Sequence, residues 1–190
     1  MASPPTRLLS FEEFEQLPET PGGFRYELRH GEPVQMPPAK HPHYCTQLRL
    51  QEMLIDSARS AGVVGIEMAF RPRPDFEYWQ ADVAFVSRAR WDRIPRTGHL
   101  EGAPDLVVEV LSPSNTAAEI LDRRNVCLEN GSREFWLVDI EHRQVEVSTP
   151  DGRSRTYKPG QSIPLFFAAF STQELRFAPE ATLAVGMIFE

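Results

Sequence analysis

Residues 104–114 read PDLVVEVLSPS, and this stretch constrains the fold more than any other part of the chain. Leu106, Val107, Val108, Val110 and Leu111 form an almost unbroken apolar run, closed by prolines on both sides. A strand that is apolar on both sides has to be covered on both faces. One carboxylate, Glu109, interrupts the run. Burying a carboxylate alone is costly unless a cation, a metal or hydrogen bonds compensate it. The rest of the chain must therefore supply a partner for Glu109.

The elements around this strand follow from periodicity and punctuation. SFEEFEQLP carries a capping box, Ser10 with Glu13, and a stop at Pro18, which predicts a short helix. FRYELRHGEPVQM alternates around HGE as a hairpin, and PPAKHP is a loop. Residues 43–60 place Leu48, Leu50, Met53, Leu54 and Ala58 near helical spacing, so an amphipathic helix runs up to Gly62. VVGIEMAF and YWQADVAFV are strands joined by the turn RPRPDFE, and residues 87–103 read mostly as loop. After the apolar strand, PSNTAAEILDRRNVCLENG is a helix with Ser114 or Asn115 near its cap and Gly131 past its end. REFWLVDI is a buried strand, and RQVEVSTPDGRSRTY turns at PDG as a hairpin. This order predicts an α/β or α+β fold, a mixed β-sheet flanked by helices.

With 190 residues the chain suits one domain, 1–190, with residues 1–8 as a loose arm. The net charge of −7 excludes a general basic footprint, so a nucleic-acid partner would need a local patch or a metal to offset repulsion. Cys45 and Cys127 form no CxxC pair and read as free thiols of a reducing compartment. The start of the chain lacks the apolar core of a signal peptide, and no run is long and apolar enough to span a membrane. A cytoplasmic location is the expectation.

In a strand, residues two apart share a face, so Val107, Glu109 and Leu111 point one way and Leu106, Val108 and Val110 the other. Asp105 shares the face of Glu109 but lies about 13 Å away along the strand. Asp82, in WQADVAFV, precedes another apolar run, and two neighbouring strands would bring Asp82 and Glu109 together. Two close carboxylates repel unless a cation lies between them or one is protonated. Mg²⁺ suits such a pair because it prefers oxygen ligands and keeps several waters. The alternative is a structural ion pair of Glu109 with Arg123 or Arg124 from the following helix.

Together YELRHGE (26–32), HY (43–44), ADVAFVSRARW (81–91), PDLVVEVLSPSNTAAEI (104–120) and CLENGSREFWLVD (127–139) resemble the restriction endonuclease family often called Uma-two, within the PD-(D/E)XK nuclease superfamily. The resemblance runs over nearly the whole chain. It implies a restriction-endonuclease-like core and a metal-dependent nuclease site using Mg²⁺ or Mn²⁺ on DNA. Asp82 matches the first metal-binding aspartate, Glu109 the acidic residue of the (D/E)XK element, and Glu27 an N-terminal acidic residue of the site. The family lysine is displaced to the following helix, where this chain has Arg123. Nuclease-like folds often pair, which implies a homodimer formed by edge strands and the apolar tail. Two positions depart from the pattern: Ala81 replaces the proline before the aspartate, and Arg123 replaces the lysine. Arginine stays protonated and prefers planar bidentate contacts, so Arg123 suits charge stabilisation on a phosphate better than base catalysis.

Four further readings accompany these. His43 opens the long helix and reads either as a phosphate or metal contact or as a structural histidine. Arg71, Arg73, Arg88, Arg90, Arg93 and Arg96 either touch DNA phosphates or pair with acids such as Asp75 and Asp92. Trp79 and Trp91 are candidates for base stacking, Trp136 for core packing, and Asp139 for a turn. Three functions follow: an endonuclease, a non-catalytic binding module on the nuclease scaffold, and hydrolysis of another phosphoester.

Overall fold

A computed structural model of the chain describes residues 7–18, 25–58, 61–113, 115–167 and 181–190. Its centre is a seven-stranded mixed sheet in the order β5-β3-β4-β6-β7-β8-β9. The apolar stretch is β6 (Leu106–Val110), flanked by β4 (Trp79–Ser87) on one side and β7 (Glu134–Asp139) on the other. The β4–β6 pair is antiparallel and the β6–β7 pair parallel. β3 (Gly62–Arg71) lies outside β4, while β8 (Gln144–Ser148) and β9 (Ser154–Tyr157) continue beyond β7 as the predicted hairpin.

Both faces of β6 are covered, as its sequence demands. Leu106, Val108 and Val110 join one core with Leu50 and Leu54 of α2 (His41–Ala58). Ile163 of β10 (Ser162–Pro164), Leu183 of β11 (Thr182–Ala184) and Ile188 of α5 (Val185–Ile188) complete that layer. On the other face Val107 packs with Val126 and Cys127 of α4 (Ala117–Glu129) and with Phe135. The parallel β6–α4–β7 unit is what forces a helix onto this second face.

α1 (Phe11–Glu15) starts at the predicted capping box. β1 (Arg25–Arg29) and β2 (Glu32–Met36) form the predicted hairpin. His30 and Gly31 both take positive φ, 50° and 79°, as a two-residue primed turn requires. The hairpin docks on the main sheet through reciprocal hydrogen bonds of Leu28 with Tyr78.

Three expectations need correction. Helix α4 is capped by Thr116, with Glu119 completing a capping box, while Asn115 accepts from the Ser112 amide instead; Ser114 lies outside the described residues. Residues 87–103 are not all loop: they hold α3 (Arg88–Trp91) and β5 (Leu100–Glu101), the latter tied to β3 by buried Leu100. The long helix begins at His41, two residues earlier than expected. The expected arm and apolar tail fall mostly outside the described residues. Among the described residues, no helix is long and apolar enough to cross a membrane.

Candidate functional site at the fork of β4 and β6

Strands β4 and β6 pair from Phe85↔Leu106 to Val83↔Val108 and then part. The amide of Val110, just past the end of that ladder, donates to Asp82 Oδ2 at 2.7 Å. A side-chain carboxylate thus replaces a backbone acceptor where the strands fork. The same point is irregular in β3 and β4. Val83 and Phe85 face the α2 core, yet Trp79 and Ala81 face the α4 core, so the two-residue alternation resets at Asp82. Across the ladder, Glu67 falls in the gap between the pairs Ile66↔Val83 and Met68↔Ala81 and has φ 50°. A glutamate in the left-handed region inside a strand is strained, and such strain clusters at functional sites.

The reset lets α2 reach Asp82. His43 Nε2 lies 3.0 Å from Asp82 Oδ1, and Gln47 Nε2 donates to the same oxygen at 2.7 Å. Four residues apart, these two side chains share one helix face. The hydrogen bond to Asp82 raises the pKa of His43 above its ordinary value; burial opposes this, and the charges of Asp82 and Glu67 reinforce it.

Glu109 is reached from the other layer. Arg123 Nε donates to Glu109 Oε1 at 2.9 Å, so the ion pair considered from sequence is formed, and by Arg123 rather than Arg124. Arg124 lies 3.6 Å from Glu146 instead. The Arg123 guanidinium also donates to Glu27 through Nη1 at 2.9 Å and Nη2 at 3.1 Å, and to the carbonyl of Gln80. These contacts occupy four of its five N–H donors. Its plane lies near the Trp79 ring, 5.1 Å from the centroid.

Glu27 is buried and fully enclosed by donors. Besides Arg123 it accepts from Arg29 Nε at 2.8 Å and from the Gln80 amide at 2.7 Å. Burial pushes its pKa up, but Arg123 and Arg29 outweigh that and leave it below the usual carboxylate value. Glu109 behaves oppositely. Burial is the leading cause that pushes its carboxyl up to about 8, Arg123 opposes it, and the charges of Asp82 and Glu27 add to it. Asp82 and Glu109 therefore lie close enough to feel one another, and their side chains remain 19% and 12% exposed.

Glu27, expected at the ion with Asp82 and Glu109, is held by two arginines. Among the described residues, no three His, Cys, Asp or Glu side chains gather as a metal set. Sequence reasoning missed Gln47 and Arg29, and the only signal for Gln47 was its spacing from His43. Trp79 is buried and closed to base stacking, and Trp136 is core as expected. Arg71 donates to the Pro74 carbonyl and lies over the Phe11 ring. Arg90 holds Asp105 and the Ala103 carbonyl, and Arg88 lies 3.9 Å from Asp92, so much of the basic stretch serves the fold. Asp139 accepts from the His142 amide and sets its turn.

A family model described as "Uma2: Putative restriction endonuclease" matches residues 11–184. Among solved structures, a putative nuclease belonging to DUF820 from Anabaena variabilis superposes with a TM-score of 0.75 at 20% identity. That match covers 95% of this chain and 97% of the other, and it shows that the two share a fold. No curated protein matches the chain.

Proposed function

The chain belongs to the Uma2 family, and from that premise we propose that it is a metal-dependent nuclease hydrolysing phosphodiester bonds of DNA. The observation that carries this reading is that two partly exposed carboxylates, Asp82 and Glu109, lie at the fork of β4 and β6, near enough for the charge of Asp82 to act on Glu109. Asp82 and Glu109 would hold Mg²⁺ or Mn²⁺. They fit such an ion because both offer oxygen donors, and Arg123 engages only Oε1 of Glu109. The carboxyl pushed up to about 8 supports the same fit. Burial is the leading cause of that rise and the charge of Asp82 adds to it, and a bound cation would offset both.

When bound, the ion supplies a water of lowered pKa and polarises a phosphoryl oxygen. The protein's own residues orient the site. Glu27 anchors Arg123, Arg123 fixes Glu109, and His43 and Gln47 fix Asp82. Arg123 is thus a positioning residue in this reading, since its donors already point at Glu27, Glu109 and Gln80 rather than at a phosphate.

The commitment of Arg123 also favours a second reading, a binding module on the nuclease scaffold. One assay separates them. Plasmid and single-stranded DNA are incubated with Mn²⁺ or Mg²⁺ and either wild type or Asp82→Ala. A nuclease cleaves both or one, and the variant loses a factor on the order of 10²–10³, because several kcal/mol of charge stabilisation is withdrawn. Equal rates in both proteins reject the proposed role of Asp82. DNA binding without cleavage in wild type selects the binding module.

A further inference from the structure

Gln47 is 1% exposed, and its amide orientation is fixed by the 2.7 Å contact of Nε2 with Asp82 Oδ1. The flipped amide would set Oε1 against a carboxylate oxygen with no proton between them. In the fixed orientation Oε1 is buried with no hydrogen-bond partner among the described residues. Buried polar atoms are almost always paired, so an orphaned acceptor calls for a missing donor or cation. Bonded to the same carbon as Nε2, this oxygen lies beside the Asp82 carboxylate.

We propose that Gln47 Oε1 is the third protein oxygen of the cation site begun by Asp82 and Glu109, touching the ion or one of its waters. This rests on the metal-dependent reading above and adds a residue to it. Hard divalent ions accept amide carbonyls alongside carboxylates. No third His, Cys, Asp or Glu completes the set among the described residues, which leaves the remaining positions to water and neutral oxygens. Gln47 offers such an oxygen, one without a hydrogen-bond partner among the described residues. It also explains why a glutamine occupies a buried position on α2, where methionine would fill the space without an orphaned acceptor.

The test is calorimetric titration of the chelator-stripped full chain with Mn²⁺ alone, on wild type, Gln47→Met and Gln47→Glu, beside melting curves in EDTA. Gln47→Met removes both the donor and the oxygen, and its Mn²⁺ affinity should fall by about tenfold or more. Gln47→Glu keeps an oxygen at the Oε1 position and sets a carboxylate against Asp82. It should therefore melt below wild type in EDTA yet bind Mn²⁺ at least as tightly. A Gln47→Met protein within about threefold of wild type overturns the proposal. So does Gln47→Glu binding more weakly than wild type, because Gln47 then acts only as a donor to Asp82. If Gln47→Met does not fold, the affinity of Gln47→Glu decides alone. Wild type binding no Mn²⁺ overturns the metal-dependent reading together with this inference, a result distinct from wild-type binding that Gln47→Met leaves intact.

Discussion

Arg123→Met isolates the electrostatic centre of the site. Methionine keeps the length of the buried stem and removes the four engaged N–H donors. Breaking a buried ion pair by removing one partner costs about 3–5 kcal/mol. The two orphaned carboxyls respond differently. Glu109, already pushed up to about 8, is mostly protonated at pH 7 before the change and adds little. Glu27 is buried and ionised, and keeps only Arg29 and the Gln80 amide. The loss therefore falls near the lower end, about 3 kcal/mol, which for a chain of this size lowers Tm by about 6–12 °C. Urea and thermal unfolding at pH 7 in EDTA measure it. A double-mutant cycle with Glu27→Gln should show a coupling of about 1.5 kcal/mol or more, since both side chains belong to one network. A loss under about 1 kcal/mol, or additive single effects, would refute the claim that Arg123 ties the β1–β2 hairpin to α4.

Glu109 also makes stability depend on pH. Its folded pKa of about 8 lies above the ordinary 4.5, so between those values the folded state holds the extra proton. The contribution of Glu109 to stability without metal is then fullest below about pH 4.5 and is lost as pH rises towards 8, by a total of order 3–5 kcal/mol. Glu109→Gln mimics the protonated form, so its Tm in EDTA should fall less than that of wild type across this window, where His43 with its raised pKa still contributes, and should exceed wild type above pH 8. A variant that declines in parallel with wild type removes Glu109 as the cause. Separately, Gly62→Ala would place a Cβ 2.2 Å from the Val86 carbonyl and 2.5 Å from the Phe85 ring. It should destabilise by about 3 kcal/mol or more in urea unfolding, whereas an unchanged midpoint would contradict the close β3–β4 approach.

Much of the fold was legible because its elements are locally consistent. The Ser10–Glu13 box, the His30–Gly31 turn and the two-sided run of β6 each carry their structure in a few adjacent residues. The α4 cap was displaced because SPSNT offers several side chains able to cap, and only tertiary placement selects Thr116. β5 was invisible because its two residues carry no period, and its existence depends on pairing with distant β3. The site divides in the same way. Asp82 and Glu109 announce themselves as carboxylates in apolar strands, and Arg123 as the cation of the next helix. Gln47 is an ordinary helical glutamine until the strand reset beneath it becomes visible.

That reset explains why an arginine suits position 123, where the resemblance implies a lysine. An ordinary ladder through residue 82 would direct Asp82 by the alternation of Ala84 and Val86, into the layer of α4, where Glu27 and Glu109 already lie. Three carboxylates there would share Arg123, with Arg29 reaching Glu27 alone. With the phase broken at Glu67 and Asp82, Asp82 is taken up by His43 and Gln47 of α2, and only two carboxylates remain for α4. A planar guanidinium is matched to that pair, bidentate to Glu27 and single to Glu109, with a further donor to the Gln80 carbonyl. A lysine has one nitrogen and could not span those acceptors. The arginine thus trades a mobile point charge near the fork for a fixed brace beneath it. What remains reachable at the fork is acidic oxygen, since Asp82 and Glu109 stay partly exposed.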